Sequence, residues 1–462
     1  MSKTDMALIA HLLRRAGFSA RRDELERYAA RGYEEVVEDL VHPERFPDVE
    51  QDMLDRYLTS KGYFTVHWAY RMANSQRPLE EKMVLFWHQL FPTSPQKSIH
   101  NDSSKKQIEM FRRLALSDMR TLLIELSKDP AMIFWLDNNE NDRDDPNENY
   151  GRELLELFSM GVGNYTEGDV KAATMAFTGW SLETALPGLG PTDVYPTRFV
   201  YRNEKHDTTV KSFLGERGRF NGEDIIDIIV AQPATARFIG RQFYNFFIAD
   251  EPAVAAWNEI PPKDSDAVED IASVFMQSSG DSRVILQHLL NADYFKESAF
   301  KKVKSPVEMT LGVLKLIGTH RDVSPGIGPY LSSAGAMGQN VMNPPTVEGW
   351  HTGKEWIDGG TLNSRVNFAV DELADDTTPV IQTIAQQLAA LSRPPTPDEF
   401  VDSCLDFAGP LAVSEETRRS LLDLARASGE LRFDSENNRE NSKRRLVQML
   451  QLIVSTREYQ FG

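Results

Sequence analysis

Apolar residues recur along this chain mainly at intervals of three and four, the period of an α-helix. In "TDMALIAHLLRRAGF" Met6, Ile9, Leu13 and Phe18 keep that spacing, and Gly17 stands where a helix would end. "SARRDELERYAARG" opens on Ser19 as a candidate N-cap and closes on Gly32, and "PLEEKMVLFWHQLF" starts on Pro78, a good first-turn residue. The same spacing predicts helices at about 104–116, 118–127, 148–160, 167–178, 222–231 and 233–248. It predicts more at about 267–279, 282–290, 305–317, 380–392, 397–408, 414–428 and 438–456.

Strand signals are sparse. "RFVYR", Arg198 to Arg202, is the best of them, and it predicts one small hairpin within a turn-rich insertion at about 180–221. No strand–helix–strand rhythm appears, which argues against a doubly wound sheet. Turn-rich breaks at 181–221, 321–363 and 370–380 punctuate the pattern. The expectation is a mainly α protein, a large multi-helix globular domain over residues 1–370 with a helical subdomain at 371–462 packed on it.

Composition narrows the setting. With 462 residues, 41% hydrophobic and 10% aromatic, the chain can bury a large core. Its 69 Asp+Glu outnumber 51 Lys+Arg for a net charge of −18, which repels nucleic acid unless one face is locally basic. The basic run Lys443-Arg444-Arg445 sits in a helical pattern with Glu436 and Glu440, so no nucleic-acid partner is expected. Cys404 is the only cysteine, which rules out an internal disulfide and a CxxC motif. The first residues lack a signal peptide's long apolar core, and no run reaches the roughly 18 apolar residues of a spanning helix. A cytoplasmic location without a membrane span is the expectation, with a periplasmic one left open.

The stretch "DNNENDRDDPNE", Asp137 to Glu148, supports two readings. A calcium loop offers oxygens from positions 1, 3, 5, 7, 9 and 12. Here those slots hold Asp137, Asn139, Asn141, the Arg143 carbonyl, Asp145 and Glu148. Asp142 and Asp144 depart from the usual pattern at positions 6 and 8, and so does Pro146 at position 10. The other reading, which the sequence favours, is a capping box with Asp145 as N-cap, Pro146 in the first turn and Glu148 three residues after the cap.

On the helix that follows, Asn149, Arg152, Glu153 and Glu156 share a polar stripe about 100° wide. It is either a solvated face braced by an Arg152–Glu156 pair or the wall of a cleft that binds anions or moves protons. His88 sits among aromatics in "LFWHQLF", and His206 adjoins Asp207 in a loop with Lys211 four residues on. "GQNVMNPPTVEGWHTGKEWIDGGTLNSR" groups Gln339, Trp350, His351, Trp356, Asn363 and Arg365 in a Gly/Pro-rich loop, a composition suited to a sugar, ring or peptide ligand. Nucleophile-elbow, zinc-helix, phosphate-loop and dinucleotide motifs are absent.

At these positions the chain resembles the bacterial domain-of-unknown-function family 1800. "HLLRRAGF", "EKMVLFWHQLFPTS", "DPAMIFWLDNNEN", "PNENYGRELLELFSMGVGNYTEGDV", "HDTTVKSFLG" and "QNVMNPPTVEGWHTGKEWI" carry the likeness, in order, from about residue 8 to 370. The resemblance implies no established activity. It implies by association a partner in a second uncharacterised family, number 1501, whose members are often encoded nearby and resemble sulfatases and phosphatases. Two function classes follow. One is a ligand-binding or accessory protein with a Ca2+ loop at 137–148 and a ligand contact through Asn149, Gln339, Trp350, Trp356, Asn363 and Arg365. The other is an enzyme acting on a sugar or a sulfate or phosphate ester, with His88, Arg152, Glu153, Glu156, His206 and Asp207 lining its cleft.

Overall fold

The computed structural model describes residues 3–57, 63–98, 101–184, 197–323 and 326–462. The chain forms two compact units: unit 1 is Met1–Leu79, Phe295–Val341 and Thr352–Gly462, and unit 2 is Glu80–Tyr294 with Met342–His351. Residue 370, where the sequence suggested a boundary, falls inside the helix Gly359–Glu372 of unit 1. Both units are mainly α. Among the described residues no helix is long and apolar enough to cross a membrane.

In unit 1 the helices Pro306–Ile317, Gly359–Glu372, Pro379–Ala389, Pro397–Phe407, Glu415–Ala427 and Glu436–Val454 enclose one apolar cluster. Met309, Val313, Leu373, Ile384, Leu446, Leu450 and Ile453 meet there, and Cys404 is buried with them. The amphipathic stripes explain this packing, since each helix hides its apolar face against the others. Two helices, Gly328–Ala336 and Gly359–Glu372, lie in the stretch expected as turn-rich. Tyr330, Leu331 and Ala334 bury one face of the first. The second starts because the Asp358 carboxylate accepts from the Gly360 and Thr361 amides, 2.7 Å each. The start expected at Ser19 also moves: Ser19 has a φ of 69°, and the helix Arg22–Ala29 follows Arg21, whose amide donates to Glu24.

Unit 2 is built on aromatic rings. Phe86 lies 4.9 Å from Phe243 and 5.0 Å from Phe246, and Phe91 meets Phe158 edge-on at 5.4 Å. These rings tie the helix Pro78–Leu90, which enters the unit at Glu80, to the helix Pro233–Phe247 and to the end of Asn149–Glu156. Each well-placed ring pair adds about 0.5–1.5 kcal/mol beyond its buried area. Among the described residues two hairpins sit in the insertion rather than one. Strand β1 (Trp180–Thr184) pairs antiparallel with β2 (Thr197–Tyr201), setting Leu182 opposite Phe199. The second, β3 (Lys211–Phe213) with β4 (Glu216–Gly218), is too short and too polar to leave an alternating pattern in the sequence.

The helix Asn149–Glu156 packs on the helix Glu167–Ala176 through a glycine. A Cβ at Gly151 would stand 2.6 Å from the Thr174 hydroxyl and 2.9 Å from the Thr174 amide nitrogen. Tyr150, Leu154 and Leu155 are buried on that side, which turns Arg152, Glu153 and Glu156 outward. Replacing Gly151 with Ala is expected to destabilise the protein by about 1–3 kcal/mol, since backbone atoms have to yield. Urea unfolding of G151A checks this; a midpoint equal to wild type would show that the two helices are not in close contact.

Candidate functional site

The loop Asp137–Glu148 is organised by its amides. Asn141 is buried, and its Nδ2 donates to the Asn138 Oδ1 (3.1 Å) and the Thr174 carbonyl (2.9 Å), while its Oδ1 accepts from the Asn147 amide (3.1 Å). Lys97 Nζ donates to both oxygens of Asp137 at 2.9 Å. Asn139 offers its carbonyl to the Ser181 hydroxyl at 3.4 Å. Asp145 is exposed and pairs through its backbone with Asp142, whose carboxylate meets Lys205 at 2.7 Å. Glu148 pairs with Arg152 at 3.1 Å. Asp137, Asn141 and Glu148 thus serve separate partners, the Asn139 Oδ1 is buried without one, and among the described residues no group of three or more His, Cys, Asp or Glu is placed to hold a metal. The capping box at Asp145 does not form either. The helix begins at Asn149, because Asp145 precedes a proline and stays extended while the Asn147 Oδ1 accepts the Asn149 amide at 3.0 Å.

From that start the helix presents its polar stripe. Arg152 does not brace Glu156: it forms a fork on Glu167 (2.9 and 2.8 Å) and reaches Glu148. Glu156 instead accepts from the Tyr165 hydroxyl at 3.2 Å. Glu153 is left beside Glu156 and within electrostatic reach of Glu348. Burial first, then the charges of Glu156 and Glu348, hold its pKa up to about 7 against the opposing pull of Arg152.

Glu156 and Glu348 line a cleft of about 270 Å³ in unit 2, together with Met160, Phe238, Arg241 and Trp257. Arg241 is buried and committed: its Nε donates to Glu251 at 2.8 Å, its Nη1 donates to the Ile260 carbonyl at 2.9 Å, and its guanidinium covers the Trp257 ring at 4.5 Å. Arg237 on the rim is paired with Glu269 at 2.7 Å. Phe238 and Trp257 meet edge-on at 5.5 Å and form an apolar wall. Glu348 reaches the cleft on the segment Met342–His351, which runs against the Pro78–Leu90 helix. Gly349 has a φ of 87°, and any side chain there would collide with the Gln89 carbonyl, so only glycine serves. The next residue, Trp350, is buried and packs edge-on against His88 at 5.2 Å.

The other named residues lie elsewhere. His88 is fully buried, and burial drives its pKa down to about 3, so it is a neutral core residue. His206 is also buried, with its Nδ1 donating to the Thr178 carbonyl at 2.9 Å, and Asp207 pairs with Lys211 at 2.9 Å. Neither lines the cleft. Asn149 starts the stripe helix, half-buried. Gln339, Trp356, Asn363 and Arg365 belong to unit 1, whereas Trp350 belongs to unit 2. Gln339 accepts from the Val307 amide at 3.0 Å, Trp356 is buried, and Asn363 is exposed on the helix Gly359–Glu372. Arg365, on the same helix, is wholly buried. Sequence reading named Glu156 but missed Tyr165, Arg241, Trp257 and Glu348. Glu348 stood inside the quoted "PTVEGW", and Trp257 in "EPAVAAWNEIPP" was marked only by flanking prolines.

Over residues 11–461 the chain matches the family described as "Protein of unknown function (DUF1800)", and it belongs to that family. No curated protein and no solved structure matches it.

The raised Glu153 sets a pH dependence. Its folded pKa lies above the unfolded value, so the folded form holds the proton more tightly. Its contribution to stability is largest below about 4.5 and is lost as pH rises towards about 7. Glu153→Gln is expected to flatten the stability curve across that window in urea titrations at several pH values. A variant curve parallel to wild type would show that Glu153 is an ordinary exposed carboxylate.

Proposed function

We propose that this protein binds a small organic amine in the unit 2 cleft. The observation that carries the reading is the charge pattern around the cleft. The charges of Glu156 and Glu348 raise the proton affinity of Glu153, while the neighbouring cations are committed to other carboxylates: Arg152 to Glu148 and Glu167, Arg237 to Glu269, Arg241 to Glu251. A cationic ligand would relieve that excess of negative charge, and its carbon skeleton would rest on Phe238 and Trp257. At about 270 Å³ the cleft suits a guest of amino-acid or monosaccharide size.

Glu153, poised near neutrality, favours a second reading in which it exchanges protons with a bound sugar or ester. That reading would use Glu153 and Glu156 and neither histidine.

Calorimetric titration at about pH 8 with putrescine, glucosamine and, as a neutral control, glucose tests the binding reading. The amines are expected to bind and glucose not. Glu156→Gln combined with Glu348→Gln is expected to weaken the amines at least about tenfold, the scale of a lost charge-assisted contact. Binding should also weaken as pH falls through about 7, where Glu153 takes up its proton. Equal affinity for glucose, or no binding by either amine, would overturn the proposal.

A further inference from the structure

The basic run Lys443-Arg444-Arg445 lies on the helix Glu436–Val454 of unit 1. Its last member, Arg445, lines a cleft of about 270 Å³ with Pro395, Pro397, Phe400 and Leu431. The two prolines flank Thr396, the N-cap of the helix Pro397–Phe407, and stiffen one wall. Phe400 and Leu431 are buried and give the cleft an apolar floor. The Arg445 guanidinium lies 5.7 Å from the centre of the Phe400 ring. Its Nη2 donates to the Gly429 carbonyl at 2.8 Å and to the Ala425 carbonyl at 3.2 Å, which closes the end of the helix Glu415–Ala427.

That closing role occupies one nitrogen of three. Nε is buried without a partner, and Nη1 makes no hydrogen bond to any described residue. The carboxylates of the surrounding segments are turned to other arginines. Glu399 meets Arg393 at 2.8 Å and Asp402 meets Arg418 at 2.6 Å. Glu430 also lines the cleft, but it is exposed and pairs with Arg432 at 3.1 Å. Burial lowers the pKa of Arg445 from the ordinary guanidinium value, and no carboxylate pulls it back up. A half-buried guanidinium with a free edge, set among apolar walls, has the chemistry of a carboxylate receptor.

We infer that this cleft binds a small organic carboxylate, held by the free edge of Arg445, with its apolar body on Phe400, Leu431 and the prolines. A guest of amino-acid size matches the volume. A bare inorganic anion would leave the apolar walls unused, and a neutral ring would leave the guanidinium uncompensated. The inference does not depend on the unit 2 cleft.

The test is calorimetric titration of the full chain with benzoate, benzyl alcohol and sulfate at constant ionic strength. Benzoate is expected to bind saturably, one per chain, and the other two at least about tenfold more weakly. Arg445→Gln should weaken benzoate by at least about tenfold. Because that variant also loosens a helix end, Gly429 supplies a second pair. Gly429 lines the cleft, has a φ of 80° and leaves open space around an added Cβ, and Asn and Asp are the side chains that best tolerate such a backbone. Gly429→Asp should supply an internal counter-charge and abolish benzoate binding, whereas Gly429→Asn, of the same shape and neutral, should keep it. No saturable benzoate binding up to about 10 mM would overturn the inference, since that is weaker than about 3 kcal/mol of binding free energy. So would equal affinity for benzyl alcohol or sulfate, or benzoate binding that Gly429→Asp and Gly429→Asn change alike.

Discussion

The side-chain amide of Asn141 is the contact on which the rest of the unit 2 site depends. It is buried and uses both ends: Nδ2 reaches Asn138 and the Thr174 carbonyl, and Oδ1 receives the Asn147 amide. Each buried group left without its partner would cost about 1–3 kcal/mol. The amide therefore fixes where the loop Asp137–Glu148 meets the helix Glu167–Ala176 and where the next helix can begin. Gly151 then lets that helix come into contact with Thr174. Once both are in place, Glu156 lines the cleft and Glu153 stands within electrostatic reach of it.

The proposed preference for an amine rests on electrostatics. Arg152 is the cation nearest to the carboxylates of the stripe, and it is drawn away by Glu167 and Glu148. Tyr165 and Glu156 share a hydrogen bond, so the tyrosine neutralises nothing. The proposed amine would offset the negative charge that these carboxylates leave in the cleft.

Much of the fold was legible because amphipathic helices leave a strong period. The helices Pro306–Ile317, Pro397–Phe407 and Glu415–Ala427 begin within a residue or two of where spacing and caps placed them. Gly328–Ala336 and Gly359–Glu372 were hidden because their Gly- and Ser-rich sequences read as turns. The stripe Arg152, Glu153 and Glu156 was visible on one helix, but its partners were not. Glu348 arrives from nearly two hundred residues downstream, and no local pattern announces such a meeting. Trp350 and Trp356 misled in the other direction: grouped in sequence and suggestive of a ligand loop, both are buried. The acidic loop resembled a cation site because amides and carboxylates serve as well for internal hydrogen bonds as for metal ligation.

The most direct measurement is carbon-13 NMR of the glutamate carboxyl groups, with Glu153 assigned by its glutamine variant, titrated with and without putrescine. The account predicts a Glu153 midpoint near 7 in the free protein and a fall of that midpoint once the amine is bound, since a cation in the cleft stabilises the charged carboxylate. A Glu153 midpoint that putrescine leaves in place would contradict the cleft as the amine site.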